Sequence, residues 1–269
     1  MNRRGPLATL LLLVLLSLTA LAARAAGAAP VQRPRPPPAE YGRVILAGPK
    51  GARLPGVAFD HWLHRITATC RLCHVELGFA MKVGGSGVTR AGIEAGAYCG
   101  ACHDGRRTSS GVPIFGACDD GPSRMVCTRC HSVGQHEPPR VDFAASTSHW
   151  PRSRFGNGVD WDAAEVERLL HPADALEGIP SSRRAMVAPA GVAGDTRLRG
   201  NKNILFSHAR HAAWSGCEGC HPALFPSVPR GTARYPMADI SAGKLCGRCH
   251  NTVAFPSIDC QRCHDKADF

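Results

Sequence analysis

Aromatic side chains are scarce in this chain: nine Phe, four Trp and three Tyr amount to 6% of 269 residues. Breakers are not, with 29 Gly and 21 Pro. So few large apolar side chains among so many helix- and strand-breaking residues cannot fill an ordinary core. Something other than side chains is expected to occupy the interior. Beyond the N-terminal region no apolar run reaches the length needed to cross a membrane, which excludes an integral span in the remainder. No cysteine closes the N-terminal apolar run, which excludes a lipid-modified anchor.

That N-terminus, "MNRRGPLATLLLLVLLSLTALAARAAGAAP", has Arg3 and Arg4, then an apolar stretch, then small residues. This is the three-part form of a secretory signal, with cleavage sites near residue 26 or 28. The alternative reading is an uncleaved anchor helix over 7–23. The expectation is a signal peptide over 1–28 and a soluble, periplasmic mature chain. An exported chain meets oxidising surroundings, so thirteen cysteines first suggest disulfides. Their spacing argues otherwise.

Twelve of the cysteines fall into six pentads: "CRLCH" (70–74), "CGACH" (99–103), "CTRCH" (127–131), "CEGCH" (217–221), "CGRCH" (246–250) and "CQRCH" (260–264). This is the attachment motif of c-type haem. Two thiols three apart lie on one side of a helical turn and reach the two vinyl groups of one porphyrin. The adjacent histidine then faces the iron. Zinc knuckles and disulfides do not require histidine directly after the second cysteine. Six covalently bound haem c groups are therefore expected, on Cys70, Cys73, Cys99, Cys102, Cys127, Cys130, Cys217, Cys220, Cys246, Cys249, Cys260 and Cys263. The proximal ligands would be His74, His103, His131, His221, His250 and His264. Cys118 is left over and reads as a spare thiol.

The pattern is duplicated. His208 lies 147 residues after His61, and the same offset relates His64 to His211, Cys70 to Cys217, Cys99 to Cys246, Phe59 to Phe206, Ile93 to Ile240 and Gly96 to Gly243. Residues 59–103 thus match 206–250 without a gap. Beyond them the first copy carries an insertion of 14 residues before its third motif, and Cys118 lies in it. The chain divides into a signal (1–28), a Pro-rich lead (29–40), a first trihaem module (41–135), a linker with a short helix (136–194) and a second trihaem module (195–269). Apolar runs around "GPKG" predict a β-hairpin before His61, and "NILFSH" the equivalent strand before His208. In the linker, Asp162 is expected to cap a short helix ending before Pro172, with His171 near its surface end. The fold class is small α plus irregular chain, haem-cored, with short helices at the attachment motifs and a minor β-hairpin in each module.

Seven histidines remain outside the pentads, and four of them form two His-x-x-His pairs, His61/His64 and His208/His211. Positions i and i+3 on a helix lie on nearly one face but point to neighbouring spots, so one pair can ligate two closely spaced irons. On these residues the chain resembles the trihaem cytochrome c7 family of class III multihaem cytochromes, above all its tandem, nanowire-type members. The likeness covers both modules but not the signal, lead or central segment. It implies that His61 pairs with His74, His64 with His103, His208 with His221 and His211 with His250 as distal and proximal ligands. Single-domain members take the third haem's distal ligand from a histidine shortly before the second motif. Here "MADISAGKLC" has none, and Met237 stands instead, as in some tandem members. Met237 is the candidate for the haem at His264. The matching residue of the first copy is Arg90, which cannot bind iron. Met81, His149 and His136, in that order, are the candidates for the haem at His131, with an open sixth position as the alternative.

The formal charge of +11 could suggest nucleic acid. Three of those charges, Arg3, Arg4 and Arg24, leave with the signal, and every haem brings two propionates. A near-neutral surface fits docking to redox proteins better than to phosphate backbones, and no nucleic-acid partner is expected. The expected function is electron transfer by haem-to-haem hopping rather than catalysis, and the resemblance implies anaerobic respiration. Partners would be a quinol-oxidising membrane complex or other periplasmic or outer-membrane cytochromes. The competing function is a multihaem reductase with an open iron at His131. No attachment motif ends in Lys, as in one class of nitrite reductase.

Overall fold

The two apolar runs flanking Gly48 and Gly51 pair as an antiparallel hairpin, β1 (Arg43–Leu46) with β2 (Val57–Asp60), in the register Val44 to Phe59 and Ile45 to Ala58. Asp60 ends β2 and pins the hairpin: its carboxylate accepts from Arg43 Nε at 2.7 Å and Nη2 at 3.2 Å. The chain turns at once into α1 (His61–Arg65). A computed structural model of the protein describes residues 37–48, 50–109, 111–118, 125–134, 141–179, 195–197, 204–226 and 234–264. The signal, residues 29–36 of the Pro-rich lead, and His136 lie outside them.

Regular structure is short throughout. After α1 come a π-turn over Leu72–Glu76, α2 (Arg90–Glu94), a 3₁₀ turn over Tyr98–Ala101, a two-residue hairpin of β3 (Thr108–Ser109) and β4 (Val112–Pro113), and α3 (Met125–Thr128). The central segment holds α4 (Phe143–Ser146) and α5 (Trp161–Val166). The second repeat has β5 (Asp195–Arg197) paired with β6 (Leu205–Ser207), α6 (His208–Ser215), α7 (Met237–Ser241) and 3₁₀ turns over Leu245–Arg248 and Cys260–Arg262. Small, mostly helical and irregular structure with two-stranded sheets is what the composition led us to expect. No helix among the described residues is long and apolar enough to cross a membrane.

The repeats are equivalent in detail. In each, the strand before the His-x-x-His pair docks on the third attachment motif: Ala58 N–H donates to Cys130 O (3.0 Å) and Leu205 N–H to Cys263 O (2.9 Å). The first copy's insertion leaves this contact intact, because its extra residues form the β3–β4 hairpin instead.

Residues 141–179 do more than connect. Phe143, Trp150, Val159, Ala164 and Leu170 form a buried cluster with Trp62 of α1, and Trp62 meets Phe143 edge to face at 4.9 Å. Just before the first attachment motif, Thr67 to Thr69 exchange backbone bonds with Ala173, and Thr69 Oγ1 donates to Asp174 at 2.8 Å. The helix expected here forms, but its cap is Asp160, not Asp162. Asp160 Oδ1 accepts from the N–H groups of Asp162 and Ala163, both at 3.2 Å, while Asp162 sits in the first turn. A side chain two or three residues ahead of the orphan donors can reach them and one inside the turn cannot. The helix ends at Val166, leaving His171 exposed beyond it. From Pro37 onward the chain forms one compact unit.

Candidate functional site

Local geometry aims the histidines. On α1 Trp62 is buried against the central segment, while His61 and His64 point away from it towards the attachment motifs. The His61 and His74 rings face each other at 6.5 Å between centroids, 8° from parallel. His64 faces His103 at 6.3 Å, and His211 faces His250 at 6.1 Å. Two metal–imidazole bonds of about 2.0–2.1 Å, with about 1.1 Å from ring nitrogen to ring centre on each side, put trans imidazoles about 6.3 Å apart. The three pairs therefore have the separation that one iron with two axial imidazoles requires.

The tautomers agree. Nδ1 lies on a backbone carbonyl in His61 (Gly42 O, 2.7 Å), His64 (Asp60 O, 3.1 Å), His74 (Phe79 O, 2.9 Å), His103 (Phe115 O, 3.1 Å), His131 (Pro55 O, 2.7 Å), His211 (Ser207 O, 2.8 Å) and His250 (Phe255 O, 3.1 Å). His221 does the same with Phe225 O. A carbonyl only accepts, so Nδ1 carries the hydrogen and Nε2 keeps its lone pair for a metal. Burial also disfavours the charged form of five of these rings. It holds His61 down to about 4, with the facing His74 adding to the effect, and it lowers His64, His74, His103 and His250 as well.

Phe59 and Phe206, two residues before each pair, hold the rings from the other side. Phe59 lies 4.3 Å from His64 and edge-on to His61 at 4.8 Å; Phe206 repeats this with His211 at 4.2 Å and His208 at 4.7 Å. Sequence reasoning noted that these phenylalanines recur but assigned them no role. It missed the phenylalanines that follow the motifs, Phe79, Phe115, Phe225 and Phe255, whose carbonyls hold the proximal rings. A Phe four or five residues after three of the Cys-His ends was the available signal.

The twelve motif cysteines form no disulfides. Burial raises nine of these thiols, Cys73 and Cys249 to about 12 and Cys99 to about 11, so those nine stay protonated rather than offering thiolates to a bare ion. Among the described residues no group of three or more His, Cys, Asp or Glu is arranged to hold a metal ion. The donor set thus fits a prosthetic group that takes thiols and imidazoles separately.

Of the remaining expected ligands, Met237 opens α7 and is 46% exposed. Met81 is half-buried in the loop before Thr89, and His149 is exposed beside the buried Trp150. Arg90 is tied to Glu94 at 2.6 Å. His131 and His264 are both half-buried, and His264 is bridged to Ile204.

No curated protein matches the sequence. The chain is similar to a solved structure, the C-terminal hexaheme fragment of GSU1996, at 24% identity over 86% of this chain and 99% of that one, with a TM-score of 0.26. Residues 57–132 and 204–265 match the family described as cytochrome c7 and related cytochrome c. Those two regions take in all six attachment motifs and both His-x-x-His pairs, and they make up half of the chain. It belongs to the cytochrome c7 family of multihaem c-type, electron-transferring cytochromes.

Proposed function

We propose that the chain is an exported hexahaem electron carrier that passes electrons between redox proteins. The reading rests above all on the facing imidazoles, His61 with His74, His64 with His103 and, in the second repeat, His211 with His250. When bound, each haem would supply an iron that gains or loses one electron. The protein's part is to hold that iron. Cys70 and Cys73, and the five cysteine pairs like them, anchor the porphyrins, and the histidine after each pair is the proximal ligand. His61, His64, His208 and His211 are the distal ligands of the first two haems of each repeat. Met237 is the distal ligand at His264, and Met81, His149 or His136 serves His131. Carbonyls fix every ring whose Nδ1 they accept, so little reorganisation accompanies a change of charge. The signal-like N-terminus supports a periplasmic location, because this haem is attached after export. It also supports partners such as a quinol-oxidising complex or other periplasmic or outer-membrane cytochromes.

Pyridine haemochrome with intact mass should count six haems per chain, and any smaller number refutes the assignment of all six motifs. Carbon monoxide added to the reduced protein should leave its spectrum unchanged. Stoichiometric binding would instead reveal an open iron and favour a reductase.

A further inference from the structure

The first attachment turns of the two repeats meet. Arg71, between Cys70 and Cys73, is 1% exposed. It pairs with Glu76 Oε1 at 2.5 Å, itself 3% exposed. On its other side Glu218, between Cys217 and Cys220, brings Oε2 to 3.8 Å from Arg71 Nε. The approach is close enough to require glycine at 216. Its φ is +65°, and a Cβ there would lie 2.7 Å from Glu218 Oε2 and 2.8 Å from Arg71 Cδ and Nε. Arg71 Nε and Nη2 donate no hydrogen bond to any acceptor among the described residues. Arg65 is held between the rings of Trp161 and Trp214, at 4.6 and 4.8 Å, so it joins α1, α5 and α6.

A buried guanidinium with one close carboxylate, one distant carboxylate and two uncommitted donors is the cation of a charge cluster in which removing any one charge shifts the local potential. It adjoins one cysteine pair in sequence and another in space. We propose that Arg71, positioned by Glu76 and Glu218, sets the reduction potentials of both first haems, those on Cys70/Cys73 and Cys217/Cys220, and so makes this seam the electrical junction of the two repeats. The proposal rests on the haem assignment above. A fixed cation favours the reduced, less positive iron on either side, and the low local dielectric keeps its effect from being screened. The two uncommitted donors suit a carboxylate of a porphyrin held at the seam. The junction would then lie between the first haems of the repeats, and not between the third haem of one and the first of the next.

The test is a redox titration of the full-length, haem-loaded protein, with each haem followed by its NMR signals. Glu218→Gln removes the outer anion. The two first-haem potentials should rise together, by up to a tenfold change in the one-electron equilibrium constant, or about 59 mV, with the other four moving less. Arg71→Gln should lower the same two, while Arg71→Lys, which keeps the charge, should stay nearer wild type. Unchanged potentials in Glu218→Gln, or a shift in only the haem on Cys217/Cys220, would overturn the proposal. If Arg71→Gln does not accumulate, Glu218→Gln alone decides. Fewer than six haems in the unsubstituted protein would refute the haem assignment and not the seam.

Discussion

Gly247 offers a sharp test of how the second attachment motif is built. It stands between Cys246 and Arg248, and a Cβ there would lie 2.7 Å from the Ile240 carbonyl carbon, 3.1 Å from its Cα, and closer still to its oxygen. That oxygen cannot swing aside, because it accepts from Gly243 N–H at 3.0 Å and Asn251 Nδ2 at 3.1 Å. The first repeat has the same arrangement: a Cβ on Gly100 would lie 2.7 Å from the Ile93 carbonyl carbon, and Ile93 O accepts from Gly96 N–H at 2.9 Å. Overpacking costs about 1–3 kcal/mol, and losing one or both hydrogen bonds adds about 1 kcal/mol each. Gly247→Ala should therefore destabilise by about 3 kcal/mol or more, lowering the thermal midpoint by at least ~6 °C. Because the displaced turn carries Cys246 and Cys249, the variant should also be short of one haem. Gly87→Ala is the control, since nothing lies within 4 Å of its Cβ and its φ is not positive. Thermal melts of the loaded proteins, with a haem count on each, give the comparison. If Gly247→Ala melted within a degree or so of Gly87→Ala and kept all six haems, the close approach of α7 to this turn would be wrong.

Three further outcomes are expected. Met237→His should lower one reduction potential, because a Met/His iron sits higher than a bis-His one; a titration with all six potentials unchanged would remove Met237 from the ligand set. Arg65→Leu should expose the Trp161 and Trp214 rings to each other without a cation and leave Glu165, bonded to Trp214 Nε1 at 2.9 Å, less balanced; a loss of about 1–2 kcal/mol is expected in denaturant unfolding, and a shift within 0.3 kcal/mol would contradict it. Tyr41 donates its hydroxyl to Ala254 O at 2.6 Å, and burial raises its phenol to about 12. Its folded value lies above the unfolded one near 10, so its stabilisation is complete below pH 10 and is lost as pH rises from 10 to 12. The stability difference between wild type and Tyr41→Phe should fade across that window, and a difference constant with pH would refute it.

The candidate site was legible wherever it is written as spacing. The pentads, the His-x-x-His pairs and the gapless offset between repeats depend on positions along the chain, and a sequence displays those directly. The hairpin before His61 was legible for the same reason, as two apolar runs around a Gly-rich turn. What was not legible depends on backbone groups brought from elsewhere. Nothing in the string says that Pro55 O will meet His131 or that Gly42 O will meet His61, because every residue has a carbonyl. Asp162 was the cap the sequence suggested, and only the start of the helix shows the cap to be Asp160. The central segment read as a linker because it is rich in Pro, Ala, Gly and Ser, yet its few large residues, Phe143, Trp150 and Trp161, are placed where Trp62 needs covering. Nothing in its pentad marks Arg71, whose partners are at 76 and 218.

The two repeats differ most on the side of the ligand helix that faces away from the site. Trp62 of the first repeat is buried in the aromatic cluster, whereas the matching residue of the second, Ala209, is exposed. Yet the Phe–His contacts and the facing of the second histidine hardly change. The Phe–His distances agree to 0.1 Å, at 4.3 against 4.2 Å and 4.8 against 4.7 Å, and the second imidazole pairs stand at 6.3 and 6.1 Å with tilts of 59° and 55°. Packing behind the helix therefore does not set where the histidines point. What the repeats share is local: a phenylalanine two residues ahead, and a backbone oxygen four residues back that takes the second histidine's Nδ1 hydrogen, Asp60 O in one and Ser207 O in the other. A ligand helix oriented by its own flanking residues can be copied into a new context without rebuilding its surroundings. That accounts for a duplication whose His-x-x-His segments stay in step while the insertion, the central segment and the matching residues Arg90 and Met237 have diverged.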